Sequence, residues 1–343
     1  MKRSYVLSAL FILVVAVITV VIVVSNNDVE SILAAITSMD PLWLGLGALA
    51  ALLFVALEGC IIVLLLRSIG EKARVRQGIR WSYVGFFFSA ITPSATGGQP
   101  AQLFYMHRDG FGITKSTPVL MITAVLYKIV AVVIGVALPV FWNEGLVEHF
   151  GSYLWIYYVG LFLNTALVVI LVFVMVTPTL AKKVVLAIER GLVRIRILKH
   201  SVERIPKLVD AVEEYGSVIK NFRKQKFRLF VALGITFVQR ICLFVLTWFV
   251  YCGMGLSAES ALVVSSLQAA VYIAVDMLPL PGSAGVTELV YAAAFSSIFI
   301  GGTLGASLLI SRGLSFYLPL LVSALVFVYS QIRYGKRNNA ELQ

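Results

Sequence analysis

WSYVGFFFSAITPSATGGQPAQLFYM, residues 81–106, reads as a membrane helix interrupted in its middle. An apolar half stops at Thr92-Pro93, passes through Ser94-Ala95-Thr96-Gly97-Gly98 and restarts near Gln99-Pro100. Neither half has the ~20 residues a helix needs to cross ~30 Å of hydrocarbon. Arg80 precedes the stretch, and Arg108 and Lys115 follow it. With positive charge at both ends, the simplest reading is a re-entrant hairpin that enters and leaves from the cytoplasm. Proline removes a backbone donor and glycine permits a tight reversal. Irregular backbone at membrane depth is tolerated only when it is buried in protein or lines an aqueous cavity.

The same design recurs at 261–300. An apolar half runs to Val275, breaks through Asp276-Met277-Leu278-Pro279-Leu280-Pro281-Gly282-Ser283-Ala284-Gly285, and resumes near Thr287. Both breaks contain Pro-x-x-x-Gly, as Pro93 to Gly97 and as Pro281 to Gly285. Around the two hairpins lie six apolar runs long enough to span: 5–24, 42–66, 117–142, 153–177, 229–252 and 304–332. The 343 residues are 60% hydrophobic and 13% charged, with a mean hydropathy of +0.94. Lipid is the solvent for most of such a chain. Lys2 and Arg3 ahead of 5–24 imitate a signal peptide, but the run is too long and lacks a small-x-small site, so a retained first span is expected.

Lysine and arginine set the orientation. Segments 25–41, 143–152 and 253–260 contain neither, whereas 67–80, 107–116, 178–228 and 333–337 hold most of the positive charge. Placing the basic segments inside makes every span alternate correctly and puts both termini in the cytoplasm. The expected fold is an all-α polytopic membrane protein with six full spans and two re-entrant hairpins. Span, span, hairpin, span occurs twice, in 1–142 and in 153–332, and the second copy starts from the opposite side. That order describes an inverted repeat, whose broken helices meet at the midplane. Two unrelated Pro/Gly kinks are the plainer alternative.

Six ionisable residues fall inside the membrane: Glu58, Lys128, Arg240, Asp276, Glu288 and Arg312. Each costs at least ~2.5–3.5 kcal/mol near the bilayer centre and so needs a partner or a purpose. Mutual pairing that locks helices together is one reading; a site for an anionic headgroup, with the acids holding the bases when it is empty, is the other. The half-helices starting near Gln99 and Thr287 would aim their N-termini inward, which favours an anion such as phosphate. Ser94, Thr96, Gly97, Gly98, Gln99 and Gln102 in the first break, and Gly282, Ser283, Gly285 and Glu288 in the second, form the expected headgroup site.

The connector 178–228 mixes Lys182, Lys183, Arg190, Arg194, Arg196 and Lys199 with apolar residues, a pattern of amphipathic helices on the inner leaflet or of an ordinary solvated linker. The net charge of +11 suits anionic inner-leaflet lipids, with no separate basic domain for nucleic acid. Cys60, Cys242 and Cys252 lie in apolar runs, and His107, His149 and His200 are isolated, so neither a metal nor a cofactor is expected.

ITPSATGGQPAQLFYM (91–106) and LPLPGSAGVTELVY (278–291) resemble the paired motifs of the flippase-like membrane domain of lysylphosphatidylglycerol synthases, the multiple peptide resistance factors. The resemblance covers essentially the whole chain. It implies a bacterial plasma-membrane protein that flips aminoacylated phosphatidylglycerol outward, lowering negative surface charge and conferring resistance to cationic peptides. Full-length relatives add a soluble domain that transfers lysine from lysyl-tRNA to phosphatidylglycerol. This sequence stops about ten residues after its last run. Synthase chemistry is therefore not expected of it alone, and a separate aminoacyltransferase is a conceivable partner. Gln99 departs from a glutamate of some relatives, while Glu288 matches the second motif. Phospholipid translocation is the leading expectation; the membrane part of a lysyltransferase and a non-transporting envelope scaffold are the rivals.

Overall fold

The computed structural model describes residues 37–92, 95–177, 216–222, 224–278, 285–300 and 303–340, with isolated positions at 34 and between 180 and 213. The expected span 5–24, most of the connector, and Pro93, Ser94, Pro281, Gly282 and Ser283 lie outside the described residues. Those described are nearly all helical, with no strand among them. Five stretches are long and apolar enough to cross a bilayer: Pro41–Ser68, Ile113–Phe141, Asn143–Met175, Lys226–Gly253 and Thr303–Tyr334. The protein is an all-α polytopic membrane protein.

Helix α1 (Pro41–Ser68) begins where Asp40 accepts from the Leu42 amide at 2.8 Å with proline at the first turn. It ends beside Gly70, whose φ of +89° makes the left-handed exit. The first hairpin follows as α2 (Val75–Ile91) and α3 (Gly98–Arg108), then span α4 (Ile113–Phe141). The stretch 143–152, expected only as an external connector, contains a short helix, α5 (Asn143–Phe150), because Leu146 and Phe150 bury against the second hairpin. Span α6 (Leu154–Val176) turns Trp155, Phe162, Ile170 and Phe173 outward, as a lipid-facing helix does. Span α7 (Lys226–Gly253) runs antiparallel to α1. The second hairpin is α8 (Ala261–Val275) and α9 (Val286–Phe295). The last span is composite: α10 (Thr303–Arg312), a π turn over Gly313–Tyr317 and α11 (Leu318–Ala340).

The described parts of the basic segments meet at one end of the bundle. Arg80 of α2 pairs with Asp109 beyond α3, and the Trp81 indole and Tyr334 hydroxyl both donate to the same carboxylate at 2.7 Å. Lys115 bonds Glu71 at 2.8 Å, and Arg228 reaches the Arg67 carbonyl. At the opposite end the Asp40 amide bonds the Gly253 carbonyl, and His149 of α5 bonds Ser297 beyond α9. The two hairpins therefore enter from opposite ends.

Each hairpin nests in its own apolar core. One core gathers the first hairpin with Ile61–Leu66 of α1 and the inner part of α11; the other gathers the second hairpin with Phe54, Leu138, Leu146 and Phe150. Backbones approach closely where no Cβ intervenes, as at Gly59 of α1 and Gly78 of α2, each of which would strike the other's backbone if it carried one.

Gly59→Val should destabilise the protein by about 1–3 kcal/mol or more, since neither facing backbone can yield. Gly45→Val, where a side chain meets open space, should leave the thermal unfolding midpoint in detergent unchanged. Equal midpoints for the two variants would refute the close crossing.

Candidate functional site

Described residues flanking the breaks of the two hairpins line one cavity of about 610 Å³ at the seam between the cores. From the first hairpin it is lined by Gly85, Ser89, Thr96, Gly98, Gln99 and Gln102. From the second come Gln268, Tyr272, Asp276 and Thr287. The full spans contribute Glu58, Tyr127, Lys128 and Arg312.

The first break is organised by Thr92. Its hydroxyl donates to the Phe88 carbonyl at 2.7 Å and accepts from the Gly97 amide at 2.9 Å, so one side chain satisfies groups on both sides of the interruption. Among the described residues of this turn the left-handed one is Ala95 (φ 54°), whereas Gly97 has an ordinary φ of −80°. Gly97 and Gly98 are small for a steric reason: a Cβ on Gly97 would strike the Thr92 side chain, and one on Gly98 would strike Ser89. The glycine pair brings the arms together rather than supplying the reversal.

The second break is organised by Glu288. Gly285 (φ +86°) opens α9, and its amide donates to Glu288 Oε2 at 2.5 Å. The other oxygen accepts from Arg312 Nε at 2.8 Å. A carboxylate of the chain itself thus occupies the N-terminus of α9, the position at which the sequence suggested an external anion. Arg312 is the last residue before the π turn, so this pair fixes the irregular part of the last span.

Lys128 and Asp276 form the second ion pair. The lysine ammonium also donates to Asn164 Oδ1 at 3.1 Å, and the Tyr272 hydroxyl donates to Asp276 Oδ1 at 2.6 Å. The hydroxyls of Tyr127 and Tyr272 lie 3.0 Å apart. With the Tyr272 proton on Asp276, Tyr127 is the donor in that bond. A polar chain consequently runs from α4 through α8 to the break. Glu58 accepts from Gln102 Nε2 at 2.6 Å and so ties α1 to the first hairpin. Among the described residues it makes no ion pair.

Arg240 does not line the cavity. It is fully buried behind Tyr127 and Tyr272, with its guanidinium carbon 3.3 Å from the first ring centroid and 4.6 Å from the second. Nη2 donates to the Tyr127 carbonyl at 3.0 Å, while Nε and Nη1 have no hydrogen-bond partner among the described residues. A desolvated cation–π contact offers about 2 kcal/mol or more. Each unsatisfied buried donor costs about 1–3 kcal/mol.

Of the residues singled out in the sequence, Glu58, Thr96, Gly98, Gln99, Gln102, Lys128, Asp276 and Arg312 meet at the cavity. Glu288 joins it through Arg312, Gly97 and Gly285 shape the breaks, and Arg240 lies one layer behind. Thr92, Tyr127, Asn164, Gln268 and Tyr272 were not anticipated. Tyr272 carried a signal, since it stands four residues before Asp276 and so shares its helix face.

A family model described as the lysylphosphatidylglycerol synthase TM region matches residues 6–323 of the chain. A search of curated proteins returned no match. The matched span includes both hairpins, all the cavity-lining charges and Arg240, and on that basis the chain belongs to the lysylphosphatidylglycerol synthase transmembrane-region family.

Proposed function

We propose that this protein is a lipid translocase of the bacterial plasma membrane that moves an anionic or aminoacylated phospholipid, such as lysyl-phosphatidylglycerol, between leaflets. One observation carries the reading: helices flanking two interruptions, whose outer ends lie at opposite ends of the bundle, line one cavity with charges of both signs. Membership in a lipid-handling membrane family supports the substrate class. A phosphate entering the cavity competes with Asp276 for Lys128, while the ammonium of an aminoacyl group finds Asp276 or Glu58. Each exchange replaces one internal partner by a substrate group, so the charges stay compensated throughout. The acyl tails remain in the surrounding lipid, where exposed apolar side chains face the bilayer.

The hairpins supply the two sides of an alternating-access cycle. The Arg80–Asp109–Tyr334 cluster closes the basic end, and α5 packed on α9 closes the other. With the basic end in the cytoplasm, both termini are cytoplasmic and outward movement of a cationic lipid lowers the negative charge of the cell surface. The family description favours a second reading, in which the cavity presents phosphatidylglycerol to an aminoacyltransferase domain.

Proteoliposomes with labelled lysyl-phosphatidylglycerol test the first reading. Leaflet exchange should exceed that of protein-free vesicles, and Lys128→Ala should slow it by about tenfold, the effect expected for a charge-assisted hydrogen bond. Exchange at the protein-free rate would remove the translocase reading, and lysine incorporation from lysyl-tRNA would install the second. For orientation, Glu259→Cys in a cysteine-free background should react with an impermeant thiol reagent on intact cells, and Arg76→Cys should not. The reverse pattern would invert the assigned topology.

A further inference from the structure

Arg240 is left over by the pairing that accounts for the other bases. Lys128 has Asp276 and Arg312 has Glu288, but Arg240 has no carboxylate in contact among the described residues. It sits 14 residues into α7 (Lys226–Gly253), about 21 Å along the helix and so at the middle of that span. Among the described residues its direct contacts are two aromatic faces and one carbonyl, and the carboxylates of Asp276 and Glu58 act on it only through space. An arginine kept this deep with half of its fork unused is far from a satisfied structural group.

The unused donors, Nε and Nη1, stand on different edges of the planar guanidinium, and each can donate to an oxygen of a phosphate or carboxylate. The cavity is one layer away, and the layer consists of Tyr127 and Tyr272, which line it. Both rings are held by their hydroxyls, Tyr127 to Tyr272 at 3.0 Å and Tyr272 to Asp276 at 2.6 Å, and Asp276 is in turn held by Lys128. Anything that takes Lys128 from Asp276 frees the anchor of this tyrosine lid.

We propose that Arg240 is an occluded oxyanion site, covered by the Tyr127–Tyr272 lid and opened to take a phosphate when Asp276 is displaced from Lys128. The site then has two cations used in order, Lys128 at the cavity wall and Arg240 behind the lid. The inference deepens the translocase reading, on which it rests for the identity of the phosphate as a lipid headgroup. The phosphate chemistry itself does not depend on transport. Keeping the lid shut at rest lowers apparent affinity by the fraction of molecules that are open, so weakening the lid should raise it.

The test is binding to the purified full chain by native mass spectrometry, with phosphatidylglycerol, diacylglycerol of the same tails and glycerol 3-phosphate as probes. Arg240→Gln should weaken phosphatidylglycerol binding about tenfold and leave diacylglycerol unchanged. Tyr272→Phe, which removes both anchoring hydrogen bonds, should strengthen phosphatidylglycerol binding about threefold, and Arg240→Gln should cancel that gain. A second measurement needs no change at Arg240. Phenylglyoxal should fail to modify Arg240 in the unaltered protein, modify it in Tyr272→Phe, and be blocked there by phosphatidylglycerol. Equal, Arg240-dependent binding of glycerol 3-phosphate would support the site and assign it to a soluble phosphate. A Tyr272→Phe gain that persists without Arg240, or phenylglyoxal labelling indifferent to lipid, would overturn the proposal. Transport with Arg240-independent binding would sink this inference alone, whereas Arg240-dependent binding without leaflet exchange would sink only the translocase.

Discussion

A helix that stops halfway through a bilayer strands its last carbonyls and the next helix's first amides where no water can reach them. Each stranded group costs several kcal/mol in hydrocarbon. The chain stops helices this way twice, and much of its architecture follows from satisfying those ends. Thr92 bridges the first interruption with one hydroxyl, and Glu288 closes the second with one carboxylate. The carboxylate brings a charge into the membrane interior, and Arg312 is buried to match it. Asp276, in the same break, requires Lys128 in the same way.

Those matched charges do not sit inside either apolar core. Lys128, Asp276 and Arg312 line the seam between the two cores, with Glu288 behind Arg312, and each core surrounds one hairpin. A seam of this kind can change its polar partners while leaving the packing on both sides intact. Mutual pairing and headgroup binding, the two readings left open by the sequence, are thereby compatible. The pairs hold the cavity together, and a ligand carrying phosphate and ammonium, as proposed above, would offer the same charges in exchange.

The spans were legible because hydropathy over twenty residues is a strong signal. Runs 42–66 and 229–252 lie within the helices Pro41–Ser68 and Lys226–Gly253. The first hairpin begins earlier than its apolar run, at Val75, because Arg80 is buried by a partner, Asp109, that hydropathy does not register. The helix Asn143–Phe150 escaped because its apolar face is two or three residues wide and is read only against α9. The charged residues of the site were legible by their cost, and the tyrosines were not. Tyr127 and Tyr272 look like ordinary lipid-compatible side chains until the fold stacks them on Arg240. Gly97 shows the opposite error, since it was singled out for a reversal but keeps an ordinary φ, while the left-handed residue among those described is Ala95 and the role of Gly97 is steric.

The central claim is that one headgroup contacts both interrupted helices at once. Photo-cross-linking with a phosphatidylglycerol analogue that carries a diazirine on its headgroup addresses it directly. Adducts in the folded protein should map both to Thr96–Gln102 of the first hairpin and to Asp276–Leu278 or Thr287 of the second. Adducts confined to one hairpin, or to the outward-facing side of α6, would contradict the account.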